Sequence, residues 1–104
     1  MINIGDIELD SERRLVRKSG NLIHLTPKEF DLLRCQMLQP GKPLTHERLL
    51  TSVWGTEYGN EFEYLRTFVR QLRLKLEDDP SSPKYILTDS YIGYRFKETE
   101  GIED

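Results

Sequence analysis

One cysteine, Cys35, is the only thiol in the 104 residues, so no internal disulfide can staple the chain and a reducing, cytoplasmic setting is expected. The two histidines, His24 and His46, lie far apart, and no Cys/His cluster has metal-ligand spacing, so neither a metal nor another cofactor is expected. No apolar run approaches the ~20 residues that span a bilayer. The first residues alternate polar and apolar instead of forming a basic and then apolar signal, so no membrane partner is expected. A glycine-rich phosphate loop and a nucleophile elbow are both missing. The carboxylate pair Asp78-Asp79 stands just before Pro80, where stopping a helix explains it, and an enzyme is not expected. Overall basic charge is missing too: the net charge is −3 and the pI is near 5.4, which as a single number weighs against nucleic acid.

The distribution of charge says something different. The C-terminal Glu98, Glu100, Glu103 and Asp104 carry four negatives, more than the whole net excess of −3. We read residues 1–97 as one domain and 98–104 as an acidic flexible tail. Hydrophobic content of 37% against 32% charged suits one soluble domain with a modest core.

Residues 2–10, INIGDIELD, read as two short strands joined at Gly5-Asp6. Residues 14–18 and 22–25 read as two more, hinged at Ser19-Gly20-Asn21. Such a small antiparallel sheet must lie on something else to be stable. Thr26-Pro27-Lys28-Glu29 is a capping box that starts a first helix, which Pro40-Gly41 ends. Thr45 starts a second, with Leu49, Leu50, Val53 and Trp54 as its apolar set and Gly55 as its stop. Asn60 is the expected N-cap of a third, with Glu63 in the capping-box position. A strand over 85–88, a turn over 89–93 and a strand over 94–97 follow.

The third helix, residues 61–76 (EFEYLRTFVRQLRLKL), organises the chain. At about 100° per residue, Leu65, Phe68, Val69, Leu72 and Leu76 share one arc. Arg66, Thr67, Arg70 and Gln71 share the opposite arc, with Arg73 at its edge. One face can be buried while the other offers guanidinium and amide groups, which suit phosphates and base edges. A solvated amphipathic helix is the plainer explanation of this segment alone. Three helices followed by a hairpin, with the second and third joined by a short loop, give an α+β winged helix-turn-helix: a four-stranded antiparallel sheet, three helices and a C-terminal β-hairpin wing.

HLTPKEFDLL, PGKPLTHERLLTSVWG, VRQLRLKLE and IGYRF, in that order, resemble the effector domain of OmpR/PhoB-type response regulators. The segments YLR, LEDDP and SPKYILTDSYIGYRF are most similar to its KdpE branch, which governs potassium-uptake genes. The resemblance implies the DNA-binding half of a two-component regulator whose receiver domain is absent here and whose sensor kinase acts upstream. It implies a third helix in the major groove of double-stranded DNA and a wing at the adjacent minor groove. It also implies head-to-tail homodimers on direct repeats, with a contact to RNA polymerase through loop 55–60. By position, Arg66, Thr67, Arg70 and Gln71 match base-facing sites, and Thr88, where the wing begins, matches a further contact to a DNA base. Trp54, Tyr64, Arg73 and Tyr94 match contacts to the DNA backbone.

Two departures from the family pattern bear on specificity. Ser90-Tyr91 stand at the wing tip where many relatives carry a basic residue and glycine, so arginine insertion into the minor groove is not expected; Ser90 and Tyr91 contact the sugar-phosphate backbone instead, or Tyr91 is simply exposed. Gln71 stands where arginine is frequent, and glutamine suits adenine where arginine suits guanine. Leu74 falls on the groove-side arc one turn late, either beyond the groove or against a second protomer. The acidic pI leaves a second function in view, a winged-helix protein-interaction module that does not bind DNA.

Overall fold

The period-two alternation of the N-terminus folds as an antiparallel meander of β1 (Ile2–Ile4), β2 (Ile7–Asp10), β3 (Leu15–Lys18) and β4 (Asn21–Ile23). The structure is a computed structural model and describes residues 1–58 and 61–98. Its register pairs Ile4 with Ile7 and Leu9 with Val16, and all four side chains are buried. The third strand starts one residue later than expected because Arg14 has a positive φ of 55°. Its guanidinium there reaches the Asp31 carboxylate at 3.0 Å and lies 4.5 Å from the Phe30 ring centroid, which ties the sheet to the first helix. Asn21 belongs to β4, not to the turn. Ser19 and Gly20 alone make the reversal, both at positive φ (51° and 83°), the geometry a two-residue hairpin loop demands.

Helix α1 (Pro27–Met37) is closed at its start by the full capping box. The Thr26 hydroxyl accepts the Glu29 N–H at 3.3 Å, and Glu29 Oε1 accepts the Thr26 N–H at 2.9 Å. The helix stops at Met37, with Leu38 as its C-cap, before the chain reaches Pro40. Helix α2 (His46–Trp54) is capped by Thr45, whose hydroxyl accepts the Arg48 N–H at 3.0 Å, and it closes at Gly55. Helix α3 (Phe62–Leu76) begins later than the sequence suggested. Its N-cap is Glu61, not Asn60, and no side chain caps it. The Glu61 carbonyl already accepts the Leu65 N–H at 3.2 Å, so the first helical turn needs no earlier residue. Asn60 itself lies outside the described residues, as does the expected tail from residue 99 on.

Leu65, Val69, Leu72 and Leu76 of α3 are buried, and Phe68 is half-buried. Each fully buried aliphatic side chain contributes about 1.5–3 kcal/mol through removal from water. They meet Leu32, Leu33, Leu49, Leu50, Ile86 and Phe96 in one cluster with the covered face of the N-terminal sheet. The expected hairpin is present as β6 (Ile86–Asp89) and β7 (Gly93–Phe96).

A third strand joins it that the sequence did not announce. β5 (Leu44–Thr45), just before α2, pairs antiparallel with β7 in the order β5-β7-β6. Gly93 makes this possible, because any Cβ there would fall within the radius of the Leu44 carbonyl oxygen. The wing is therefore stitched to the start of the helix-turn-helix.

Candidate nucleic-acid interface

The outer face of α3 holds the expected set side by side. Arg66, Thr67, Arg70 and Gln71 are all exposed. Spacings of four residues, 66 to 70 and 67 to 71, stack them on one side of the helix. Arg66 pairs with Glu63 at 3.2 Å, and both side chains are well exposed, so the pair is weak and can be exchanged for a phosphate. The Thr67 hydroxyl donates to the Glu63 carbonyl at 3.0 Å. Arg70 and Gln71 make no hydrogen bond or ion pair among the described residues. Arg66, Arg70 and Arg73 also line a cleft of about 380 Å³ with Leu74, Pro80 and Tyr94. Helix α3 and the hairpin therefore share one cationic recess.

The expected backbone contacts divide. Tyr64 is 44% exposed at the start of α3. Trp54, expected beside it, is a wedge in a ring cluster, 5.1 Å from Tyr64 and 4.9 Å from Phe68 between centroids. The ring packs against the core with the rest of the α2 apolar set, and its indole N–H is buried without a partner among the described residues. Tyr94, which lines the cleft, is itself largely buried. It is 6% exposed because β7 alternates, and residue 94 shares its inward side with Phe96. Its ring lies edge-on to His46 with 5.5 Å between centroids.

Arg73 and Thr88, one expected on a phosphate and the other on a base, are found on each other. Arg73 donates from Nε (3.1 Å) and Nη2 (2.9 Å) to the Ile86 carbonyl, and from Nη2 to the Thr88 hydroxyl at 2.8 Å. Both tethers cross from α3 to β6.

At the wing tip Ser90 and Tyr91 are exposed, as a contact there requires. Tyr91 is wholly exposed and holds a positive φ of 69°, a backbone state that costs a non-glycine residue about 1 kcal/mol or more. The tip is closed by the Ile92 N–H donating to the Asp89 carbonyl at 3.0 Å, and Arg95 pairs with Asp89 at 3.0 Å. In loop 55–60, Tyr58 stacks near Tyr64 at 6.4 Å, and Gly59 and Asn60 lie outside the described residues. Leu74 is 62% exposed.

Sequence reasoning missed two buried carboxylates that fix α3. Glu29, read only as a capping residue, is 2% exposed and pairs with Lys75 at 2.6 Å, joining α1 to the end of α3. Glu77 is 7% exposed and accepts the backbone N–H groups of Lys84, Tyr85 and Ile86 at 2.8–3.3 Å. Glu77 has no role of its own in the sequence reading. The available signal was its spacing of four from Arg73. Asp78 and Asp79 do stay at the surface: hydrogen bonding to Lys18 lowers the Asp78 pKa, and hydrogen bonds from Ser81 lower that of Asp79. Burial raises the pKa of the half-buried Cys35 thiol. Among the described residues, no group of three or more His, Cys, Asp or Glu is placed to hold a metal. No helix of the described residues is long and apolar enough to cross a membrane.

Residues 20–96 match the family model described as transcriptional regulatory protein, C terminal. The transcriptional regulatory protein KdpE of Mycobacterium tuberculosis is 43% identical over 97 residues, which cover 93% of this chain and 43% of that protein. The chain thus spans less than half of that relative's length. Among solved structures, the response regulator DrrB of Thermotoga maritima, an OmpR/PhoB homologue, superposes with a TM-score of 0.83 at 35% identity, over 91% of this chain and 43% of that one. The DNA-binding domain of RstA from Klebsiella pneumoniae, solved in complex with the RstA box, superposes with a TM-score of 0.85 at 27% identity, over 92% of this chain and 95% of that one.

Proposed function

This chain belongs to the OmpR/PhoB-type family of transcriptional regulatory C-terminal domains, and from that premise we propose that α3 reads the major groove of double-stranded DNA while the wing reaches the adjacent minor groove. One observation carries the proposal. The Arg70 and Gln71 side chains stand exposed, one turn along α3 from Arg66 and Thr67, and make no hydrogen bond or ion pair among the described residues. Arg66, Thr67, Arg70 and Gln71 take base edges. Tyr64, Ser90 and Tyr91 take the sugar-phosphate backbone. Phosphate contacts supply most of the affinity and the base contacts supply the discrimination.

The finer assignments belong to the same proposal. The intact regulator carries a receiver domain addressed by a sensor kinase, and two copies of this domain bind direct repeats head to tail. Loop 55–60 meets RNA polymerase in the cytoplasm, and the controlled genes are of the potassium-transport, kdp type. The identity to KdpE and the SPKYILTDSYIGYRF segment support the last point.

Selection of bound duplexes from a random pool tests the reading. Two half-sites in direct repeat, with adenine at the step facing Gln71, are expected. Recovery of no sequence, and no anisotropy change with any duplex at low salt, would favour the protein-interaction module that the acidic pI allows.

A further inference from the structure

The order β5-β7-β6 leaves β6 at the edge of the wing sheet. In an extended strand the N–H and C=O of one residue point to the same side. Because the Tyr85 carbonyl accepts the Lys97 N–H on the inner side, Ile86 turns both of its groups outward. Among the described residues no strand covers them, and side chains from the end of α3 do so instead. Glu77 Oε2 accepts the Ile86 N–H at 2.8 Å, and Arg73 takes the Ile86 carbonyl twice, at 2.9 and 3.1 Å. Residues four apart lie on one side of a helix, one turn of about 5.4 Å from each other. Thr88, two residues along β6, receives the remaining Nη2 hydrogen of Arg73.

We propose that Arg73 and Glu77 act as positioning residues, a two-pronged brace that holds the wing in register with the recognition helix, with Thr88 as its outer anchor. Arg73 and Thr88 then serve DNA recognition through the wing and not through a contact of their own. Three of the five guanidinium N–H groups of Arg73 are spent inside the protein. A fork is needed, because a lysine ammonium is a compact point charge that cannot present the same planar pair of donors. The brace makes helix and wing one rigid reader of two grooves, so its consequence for DNA rests on the proposed function. The brace itself does not.

The test has an arm without DNA. In the free domain, hydrogen exchange of the Leu87 and Arg95 amides is compared among the unaltered protein, Arg73→Gln, Arg73→Lys and Thr88→Val. We expect exchange at least tenfold faster in β6 and β7 for both Arg73 variants and a smaller rise for Thr88→Val, with α1 and α2 amides unchanged. In the DNA arm, Arg73→Lys keeps the charge, and so retains a phosphate contact if that is its work. The brace predicts about tenfold weaker binding to the selected site, with loss of protection on the wing side only. The proposal is overturned if Arg73→Lys matches the unaltered protein in both arms. It is equally overturned if Arg73→Gln flattens the salt dependence by about one unit while wing exchange stays the same. Thr88→Val folds without any change of charge and decides the exchange arm should the Arg73 variants unfold. An unaltered domain that bound no duplex would overturn the proposed function, and exchange would still decide the brace.

Discussion

Two neighbouring stretches of one helix put the same residue type to opposite use. Arg70, in the middle of α3, is exposed and bonds to nothing among the described residues. Arg73, less than one turn on, is tied to Ile86 and Thr88, and Lys75 to the buried Glu29. The first region faces outward and is available to a ligand. The second is consumed in holding α3 against α1 and the wing. A count of cations on this helix would credit both regions equally to DNA. The difference teaches that a cation is a candidate reader only where the fold leaves its donors unspent.

The comparison is broken most severely at Gly93. Gly93→Ala drives a Cβ into the Leu44 carbonyl, and overpacking of this kind should cost about 3 kcal/mol of stability in urea unfolding. Its DNA affinity should fall with the displaced wing although every exposed arginine is intact. Arg70→Ala asks the converse question. It should lose about 1–3 kcal/mol of binding to the selected site by anisotropy, while its unfolding midpoint moves within error.

Lys75→Met leaves the Glu29 carboxylate buried beside the capping box without its partner. Since Lys75 is partly exposed, a stability loss of about 1–2 kcal/mol is expected, and the affinity of the folded fraction should be unchanged. A fall in affinity matching that of Arg70→Ala would erase the distinction between the two regions. Tyr91→Gly sharpens it at the wing tip. Relief of the positive φ should stabilise the domain by about 0.5–1 kcal/mol, whereas loss of the ring should weaken binding. A gain in stability with undiminished binding would remove Tyr91 from the interface. The smallest effect concerns Cys35, whose raised pKa keeps it a neutral thiol at pH 7. It should alkylate more slowly than a small free thiol, and equal rates would show that the α1–α2 surface opens readily.

The sequence by itself determined much of this. The capping box at Thr26, the Thr45 cap, the Gly55 stop and the period of Leu65, Val69, Leu72 and Leu76 are local signals, and each lies where it was expected. The outer arc of α3 follows from helical geometry alone, and Arg66, Thr67, Arg70 and Gln71 are exposed as that geometry requires. What packing decides could not be read in advance. A two-residue strand such as β5 has no pattern of its own and exists only because Gly93 lets Leu44 approach. Tyr94 turns inward, because an aromatic ring gains more from burial than its single polar atom gains from water. Arg70 and Arg73 are chemically identical in the sequence, and only the edge of β6 lying beside Arg73 separates an exposed guanidinium from a tethered one. Helical period is set within a turn or two of chain. The partner of a long side chain is set by whatever strand the rest of the molecule brings within its reach.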